Sequence, residues 1–201
     1  MADITLEQFQ TEALKWLEAN AERRPAEKAF VWGEGSDNFY REKDRAEEAK
    51  NAEAGKVWRQ KKFDAGFGWI GGPKEMGGRA LPNSYDRAYN TLEALFKTPD
   101  QSAFGISLGM VIPTIHAHGS KNAVDSYVRQ AWRGDLIACQ LFSEPGAGSD
   151  LASLTTKAEK DGDEWVITGQ KVWTTGAHYS DIGEIITRTD WDMPKHKGLT
   201  A

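Results

Sequence analysis

Cys139-Gln140-Leu141-Phe142-Ser143-Glu144-Pro145-Gly146-Ala147-Gly148-Ser149-Asp150 starts inside an apolar run and ends in a loop of small residues. The run from Leu136 to Phe142, bounded by Gly134 and Pro145, has the length and composition of a buried strand. Glycines in the loop let backbone N–H groups approach a ligand closely, which suits phosphates or the polar edge of a heterocycle. No Gly-Lys-Ser/Thr follows, so this is not a Walker loop. Leu151 stands where a dinucleotide fingerprint has its third glycine. On spacing alone two readings stand: a ligand-binding loop, or a structural turn capped by Ser149 or Asp150.

Toward the C-terminus, Leu154 to Glu159 and Glu164 to Ile167 alternate in polarity around Asp161-Gly162-Asp163, which predicts a hairpin. Gln170 to Thr174 and Ile182 to Thr189 continue the strand character. Trp173 precedes two hydroxyls, Thr174 and Thr175, at the end of such a strand. A flat apolar wall with hydrogen-bonding groups beside it is what a planar polar cofactor such as a flavin needs. The other reading of this segment is a surface-facing strand end with Trp173 in the core.

The preceding part of the chain reads as helical. Thr5 and Gln8 form a capping box, with Ile4 and Phe9 as its hydrophobic staple. Leu6, Phe9, Ala13, Trp16 and Leu17 then share one helical face. Arg41 to Lys50 is dense in charge of both signs and reads as a solvated helix face. Ala65 to Pro73 is too rich in glycine for a helix. A helix from Ser84 to Phe96 would bury Ala88, Leu92, Leu95 and Phe96 and stop before Pro99. Phe104, Leu108, Val111, Ile112 and Ile115 mark the next helix, which Pro113 should kink. Gly119 ends it, and Ser120 caps another that Gly134 closes. The expectation is an α+β chain: an antiparallel helical domain over 1–134 and a β domain over 135–201.

The chain has 201 residues, with 25 Lys+Arg against 30 Asp+Glu and a net charge of −5, which argues against a nucleic-acid binder. With 39% hydrophobic and 27% charged residues the composition is that of a globular chain rather than a disordered one. The lone cysteine, Cys139, allows no internal disulfide and reads as a buried small apolar residue. No apolar run is long enough for a membrane span. The first residues resemble neither a secretory signal nor a transit peptide, so a cytoplasmic location is expected. His116 and His118 are two apart and do not share a helical face, so no metal site is expected. His178 reads as a loop residue.

Taken together, Ser143 to Asp150 and Gly169 to Ala177 resemble two successive signatures of the acyl-CoA dehydrogenase family. Gly77-Gly78-Arg79 and His118-Gly119 also fall where that family has such residues. The likeness covers roughly residues 65–201, and the helical layout of 1–64 is compatible with it.

The resemblance implies a helical N-terminal domain, a middle β-barrel domain that is incomplete here, and a C-terminal four-helix domain absent from this sequence. It implies FAD as cofactor, an acyl-CoA substrate, an electron-transferring flavoprotein as redox partner, and a homo- or hetero-oligomer. It places Gln140, Leu141, Phe142 and Ser143 along the flavin pyrimidine edge. Gly148 falls near the cofactor, and Ser149 on the side of the CoA portion of the substrate. Trp173 packs on the isoalloxazine ring, Thr174 lies beside it, and Thr175 turns its hydroxyl toward N5. The remaining seven tryptophans are expected to be packing residues. The family's general base is a glutamate of the C-terminal helical domain, with no counterpart here; Glu144 belongs to the flavin loop instead. Glu184 stands where the family has an apolar residue, and Gly176 where it often has Asn. The expected function is therefore α,β-dehydrogenation of an acyl-CoA thioester, by a chain inactive alone. The alternatives are a non-catalytic flavin- or CoA-binding subunit of a heteromeric dehydrogenase, or an acyl-CoA oxidase or flavin monooxygenase of the same fold.

Overall fold

The structure, a computed structural model, describes residues 4–25 and 44–201. Trp32 and the segment Arg41 to Lys43 lie outside them. The described chain divides into two compact units. One comprises the residues up to Gln101 together with Trp132–Asp135, and the other Ser102–Ala131 with Leu136–Ala201.

The first unit is built on three helices. In α1 (Leu6–Asn20) the capping box forms as read: the Gln8 amide donates to Thr5 Oγ1 at 3.2 Å and the Thr5 amide to Gln8 Oε1 at 3.0 Å. Phe9, Ala13 and Leu17 are buried, while Leu6 at the first turn stays exposed. β1 (Glu22–Arg23) follows. α2 (Arg45–Asp64) begins as a charged, mostly exposed turn and buries Trp58 and Phe63 toward its end. α3 (Asn83–Glu93) and β2 (Phe96–Lys97) complete the unit.

The third helix stops at Glu93 rather than Phe96. The chain turns at Ala94, and β2 pairs antiparallel with β1, while the Arg24 amide takes the Leu95 carbonyl at 2.8 Å. That pairing leaves Leu95 exposed and buries Phe96 from a strand instead of a helix. The core gathers Phe9, Leu17, Trp58, Phe67, Tyr89 and Phe96. Phe67 stacks on Tyr89 with centroids 5.1 Å apart. The glycine-rich stretch after Ala65 is a wound loop, as its composition required. Beyond it Arg79 reaches back to Glu12 with a two-pronged ion pair at 3.1 and 3.2 Å, its guanidinium over the Phe9 ring.

In the second unit, Pro113 lies inside a helical stretch, as expected, and the irregularity beside it is a π-helical run. That run, Ser107–Val111, leads without a break into α4 (Ile112–His118), and its wider turn, in which the Ile112 amide reaches the Ser107 carbonyl, is where the helix accommodates Pro113. Ser120 caps α5 (Lys121–Ala123) by accepting from the Ala123 amide at 3.2 Å. A second π-helical run, Val124–Val128, leads into α6 (Arg129–Arg133), whose last two residues, with the Gly134 that ends it, are counted in the first unit.

β3 (Ala138–Leu141) is the expected buried strand, and it pairs in parallel with β6 (Ile182–Ile185). A four-stranded sheet takes the order β5-β4-β7-β8, formed by β4 (Lys157–Asp161), β5 (Glu164–Thr168), β7 (Thr187–Arg188) and β8 (Leu199–Thr200). β4 and β5 make the expected hairpin, yet all of β5 is exposed. Trp165 and Trp191 are likewise largely exposed rather than packed in a core. The described residues contain helices and open sheets with no closed barrel. No described helix is long and apolar enough to cross a membrane.

Candidate functional site

β3 delivers Gln140 and Leu141 to the loop, where Phe142 and Ser143 are half-buried and Glu144 is buried. Pro145 and Gly146 make a tight reversal, closed by the Glu144 amide on the Ala147 carbonyl at 2.9 Å and its reciprocal at 3.1 Å. Beyond this reversal Gly148 and Ser149 are exposed. A Cβ at Gly146 or Gly148 would meet nothing within 4 Å, so both glycines border open space. Asp150 precedes a single helical turn at Leu151–Ser153, as in the capping reading, but its carboxylate does not cap that turn. It accepts instead from Lys195 Nζ, at 2.7 and 2.9 Å.

The Glu144 carboxylate is the knot of this region. Oε2 accepts from the Thr155 amide at 2.7 Å and its hydroxyl at 2.9 Å; Oε1 accepts from the Thr156 amide at 2.8 Å and from Lys171 Nζ at 3.0 Å. Both partners of the ion pair are shielded, their side chains 6% and 5% exposed. Burial would raise the carboxyl pKa, but hydrogen bonds from Thr156 and Thr155 and the Lys171 ammonium outweigh it and hold the group down to about 2. Lys171 also donates to the Phe142 carbonyl at 2.9 Å, and the Val172 amide to the Ser143 carbonyl at 2.9 Å. The two sequence motifs are thereby brought side by side. Sequence reasoning noted Glu144 only as part of its loop. Its role as an anchor was invisible because its donors come from positions 155, 156 and 171.

Gln170 to Thr174 do not form a strand. The segment is held by the Val172 amide on the Ser143 carbonyl and by the Lys171 ammonium on the Phe142 carbonyl rather than by a ladder. The chain then enters the left-handed region at Trp173, with φ +59°, where a bulky residue is an outlier. The Trp173 side chain is 90% exposed, so the reading that buries it in the core does not hold. Thr174 is half-buried and Thr175 exposed. Gly176 takes φ +76°, and a Cβ there would lie 2.6 Å from the Tyr179 hydroxyl oxygen. Glycine therefore fits this turn where a side chain would not. His178 packs edge-on against Tyr179.

A flavin-like ring asks for an uncovered apolar plane with polar atoms near it. Trp173 supplies the plane. Gln140 Oε1 is a buried acceptor without a hydrogen-bond partner among the described residues, and the open space at Gly148 leaves room. These features fit such a group. A separate cleft of about 290 Å³ on the same loop is lined by Glu144, Pro145, Gly146, Ser153, Thr155 and Gln170.

Residues 139–201 match the family described as acyl-CoA dehydrogenase, middle domain. The acyl-CoA dehydrogenase IpdE1 of Mycobacterium tuberculosis is 36% identical over 201 residues, all of this chain and 48% of that protein. FadE34 of the same organism is 54% identical over 88 residues, 44% of this chain and 12% of that protein. Among solved structures, the Tcur3481-Tcur3483 steroid ACAD matches with TM-score 0.64 and 26% identity over 99% of this chain and 47% of that one. The ChsE4-ChsE5 complex from Mycobacterium tuberculosis matches with TM-score 0.65 and 25% identity over 99% and 46%. The chain spans less than half the length of each of these relatives. In its paired motifs, its fold and its relatives, this chain belongs to the acyl-CoA dehydrogenase family.

Proposed function

We propose that the chain forms the flavin-facing part of an FAD-dependent acyl-CoA dehydrogenase, with residues 1–134 as its helical portion and 135–201 as its β portion. The observation that carries this reading is the juxtaposition of Ser143 with the segment Lys171 to Trp173, which leaves Trp173 uncovered beside the loop. FAD, when bound, supplies the hydride acceptor for α,β-dehydrogenation of an acyl-CoA thioester. Gln140, Leu141, Phe142 and Ser143 would hold the polar edge of the ring. Trp173 shields one ring face from water, and Thr174 and Thr175 offer hydroxyls beside it. Donors aimed at developing negative charge favour the reduced ring. Gly148 leaves space for the cofactor, and Ser149 would meet the CoA portion of the substrate.

Glu144 is not the base that removes the α-proton, because all its acceptor capacity is spent on Thr155, Thr156 and Lys171. A positioned base is needed for that step, and we assign it to a glutamate outside these 201 residues. An electron-transferring flavoprotein would then take the electrons. The two-polypeptide relatives favour a second reading, in which this chain is a flavin- or CoA-binding subunit that acts with a partner supplying the remaining helical domain. The steroid ACAD likeness favours a steroid-derived acyl-CoA as substrate.

The test is flavin retention. The purified chain, reconstituted with FAD, should carry a flavin absorbance band that does not bleach with acyl-CoA until a partner is added. Trp173→Ala should weaken flavin binding far more than Trp16→Ala, and equal retention in the two variants overturns the assignment of Trp173. Bleaching by the chain alone overturns the absence of a base. Rapid reoxidation of the reduced flavin by oxygen would move the chemistry to an oxidase or monooxygenase.

A further inference from the structure

β4 and β5 are joined by Gly162 and Asp163 alone, and the last pair of their ladder is Asp161↔Glu164. A hairpin turn this short takes positive φ at its centre, and Gly162 supplies it at φ +59°. Asp161, Gly162, Asp163 and Glu164 are all exposed, and a Cβ at Gly162 would meet nothing within 4 Å. The Gly162 amide makes no backbone hydrogen bond among the described residues. Its nitrogen thus follows an aspartate, carries no side chain to shield it, and is not tied into the ladder.

This pairing of residues is singular in the chain. Of the 20 glycines only Gly162 follows an Asp or Asn. The described asparagines, Asn20, Asn51, Asn83, Asn90 and Asn122, all lie in helices, where the backbone angle keeps the following nitrogen away from the side-chain carbon.

We propose that Asp161-Gly162 is a modification site, where the chain closes a cyclic imide and opens it to isoaspartate, the substrate class of carboxyl methyltransferases that use S-adenosylmethionine. The Gly162 nitrogen attacks Cγ of the protonated Asp161 carboxyl. A C–N bond forms and the C–OH bond breaks, and the hydroxyl leaves with the amide proton as water. Water then opens the ring. Opening at the side-chain carbonyl restores aspartate, and opening at the main-chain carbonyl routes the chain through Cγ and frees the α-carboxylate. The water lost is regained, and nothing is oxidised or reduced. In the methyl step a C–O bond forms on that carboxylate as the sulfonium C–S bond breaks. Ring closure asks Asp161 to leave its extended conformation, and opening the tip that far breaks only the Asp161↔Glu164 pair. None of this depends on flavin or acyl-CoA chemistry, so the modification site and the flavin reading succeed or fail separately.

The experiment ages the full chain for weeks at neutral pH and then treats it with a purified protein-isoaspartate methyltransferase and labelled S-adenosylmethionine. Peptide mapping places the label. The peptide holding Asp161 and Gly162 should carry about tenfold more label than any other peptide with Asp or Asn, because a Cβ on the following residue raises the other barriers. Asp161→Glu, whose longer side chain would have to close a larger ring, should lose the label. Gly162→Ala separates the chemistry from mobility of the turn. Its φ is strained, so the tip opens more readily, while its Cβ crowds the attacking nitrogen. The label should fall about tenfold in that variant. The proposal is overturned if the label is absent or falls mainly on another peptide. It is equally overturned if Asp161→Glu keeps the label, or if Gly162→Ala takes up as much as the unaltered chain or more.

Discussion

Glu144 and Trp173 are the residues on which the site turns, one wholly satisfied and one wholly uncovered. Replacing Glu144 with Gln leaves the Lys171 ammonium buried against a neutral partner, and should lower stability by about 3 kcal/mol in a urea titration. The pH dependence follows from the depressed pKa. In the unfolded chain the carboxyl titrates near 4.5, and in the folded protein near 2. The unfolded state thus binds the proton first as pH falls. The contribution of Glu144 is complete above pH 4.5 and is lost between there and pH 2. Wild type should show this acid loss, and Glu144→Gln should lack its share of it. At Trp173 the backbone rather than the side chain stores the strain. With so little of the indole buried, the choice of replacement tests the left-handed φ directly: Trp173→Gly should be about 1 kcal/mol more stable than Trp173→Ala. Equal stabilities would mean that the loop relaxes out of that conformation.

At the scale of elements, ends matter more than middles. Gly134 closes α6 with φ +96°, and a Cβ there would lie 2.8 Å from Arg59 Cβ. Gly134→Ala therefore meets both an unfavourable φ and a packed neighbour, and should cost about 2 kcal/mol by chemical denaturation. Capping chemistry of this local kind was legible in the sequence: Thr5, Ser120 and Gly134 act where their residue types suggest. The β4–β5 hairpin and the buried run into β3 were legible for the same reason, because the signals span a few neighbouring residues. What escaped was decided at a distance. The end of α3 is set by pairing with β1, some seventy residues earlier in the chain. Gln170 to Thr174 has strand composition but finds its partners in loop carbonyls and a carboxylate. Pro113 is absorbed by a π-helical run that no local pattern announces. In the candidate site, the motif residues were legible and their anchor, Glu144 with Lys171, was not.

Across the whole molecule, each compact unit is organised around a shielded carboxylate that gathers cations and donors. In the second unit it is Glu144. In the first it is Glu93, which accepts from Trp58 Nε1 at 2.8 Å, from the Tyr89 hydroxyl at 3.4 Å and from Lys62 Nζ at 3.1 Å on both oxygens. Arg59 is buried nearby, held by the carbonyls of Trp132 and Gly68 and by the Trp132 ring. Burial lowers the Lys62 pKa, and Glu93 opposes that shift. Glu93→Leu removes the opposing charge and leaves Lys62 beside Arg59 in a nearly dry core, so stability at neutral pH should fall by about 3–5 kcal/mol. The sign of its pH dependence is that of the acid case, displaced to an alkaline window. With Lys62 depressed further in the folded state, the unfolded chain binds the extra proton, and stability should rise with pH until the ordinary lysine value of 10.5. Lys62→Met in the same background should recover most of the loss and flatten that dependence, because the unpaired ammonium is then gone and Arg59 keeps its bonds to the Trp132 and Gly68 carbonyls. Urea titrations at pH 7 and pH 9.5 decide the matter. A single variant whose stability does not change between them would show that Lys62 reaches solvent once Glu93 is gone, and that the first unit is held by its aromatic packing rather than by this pair.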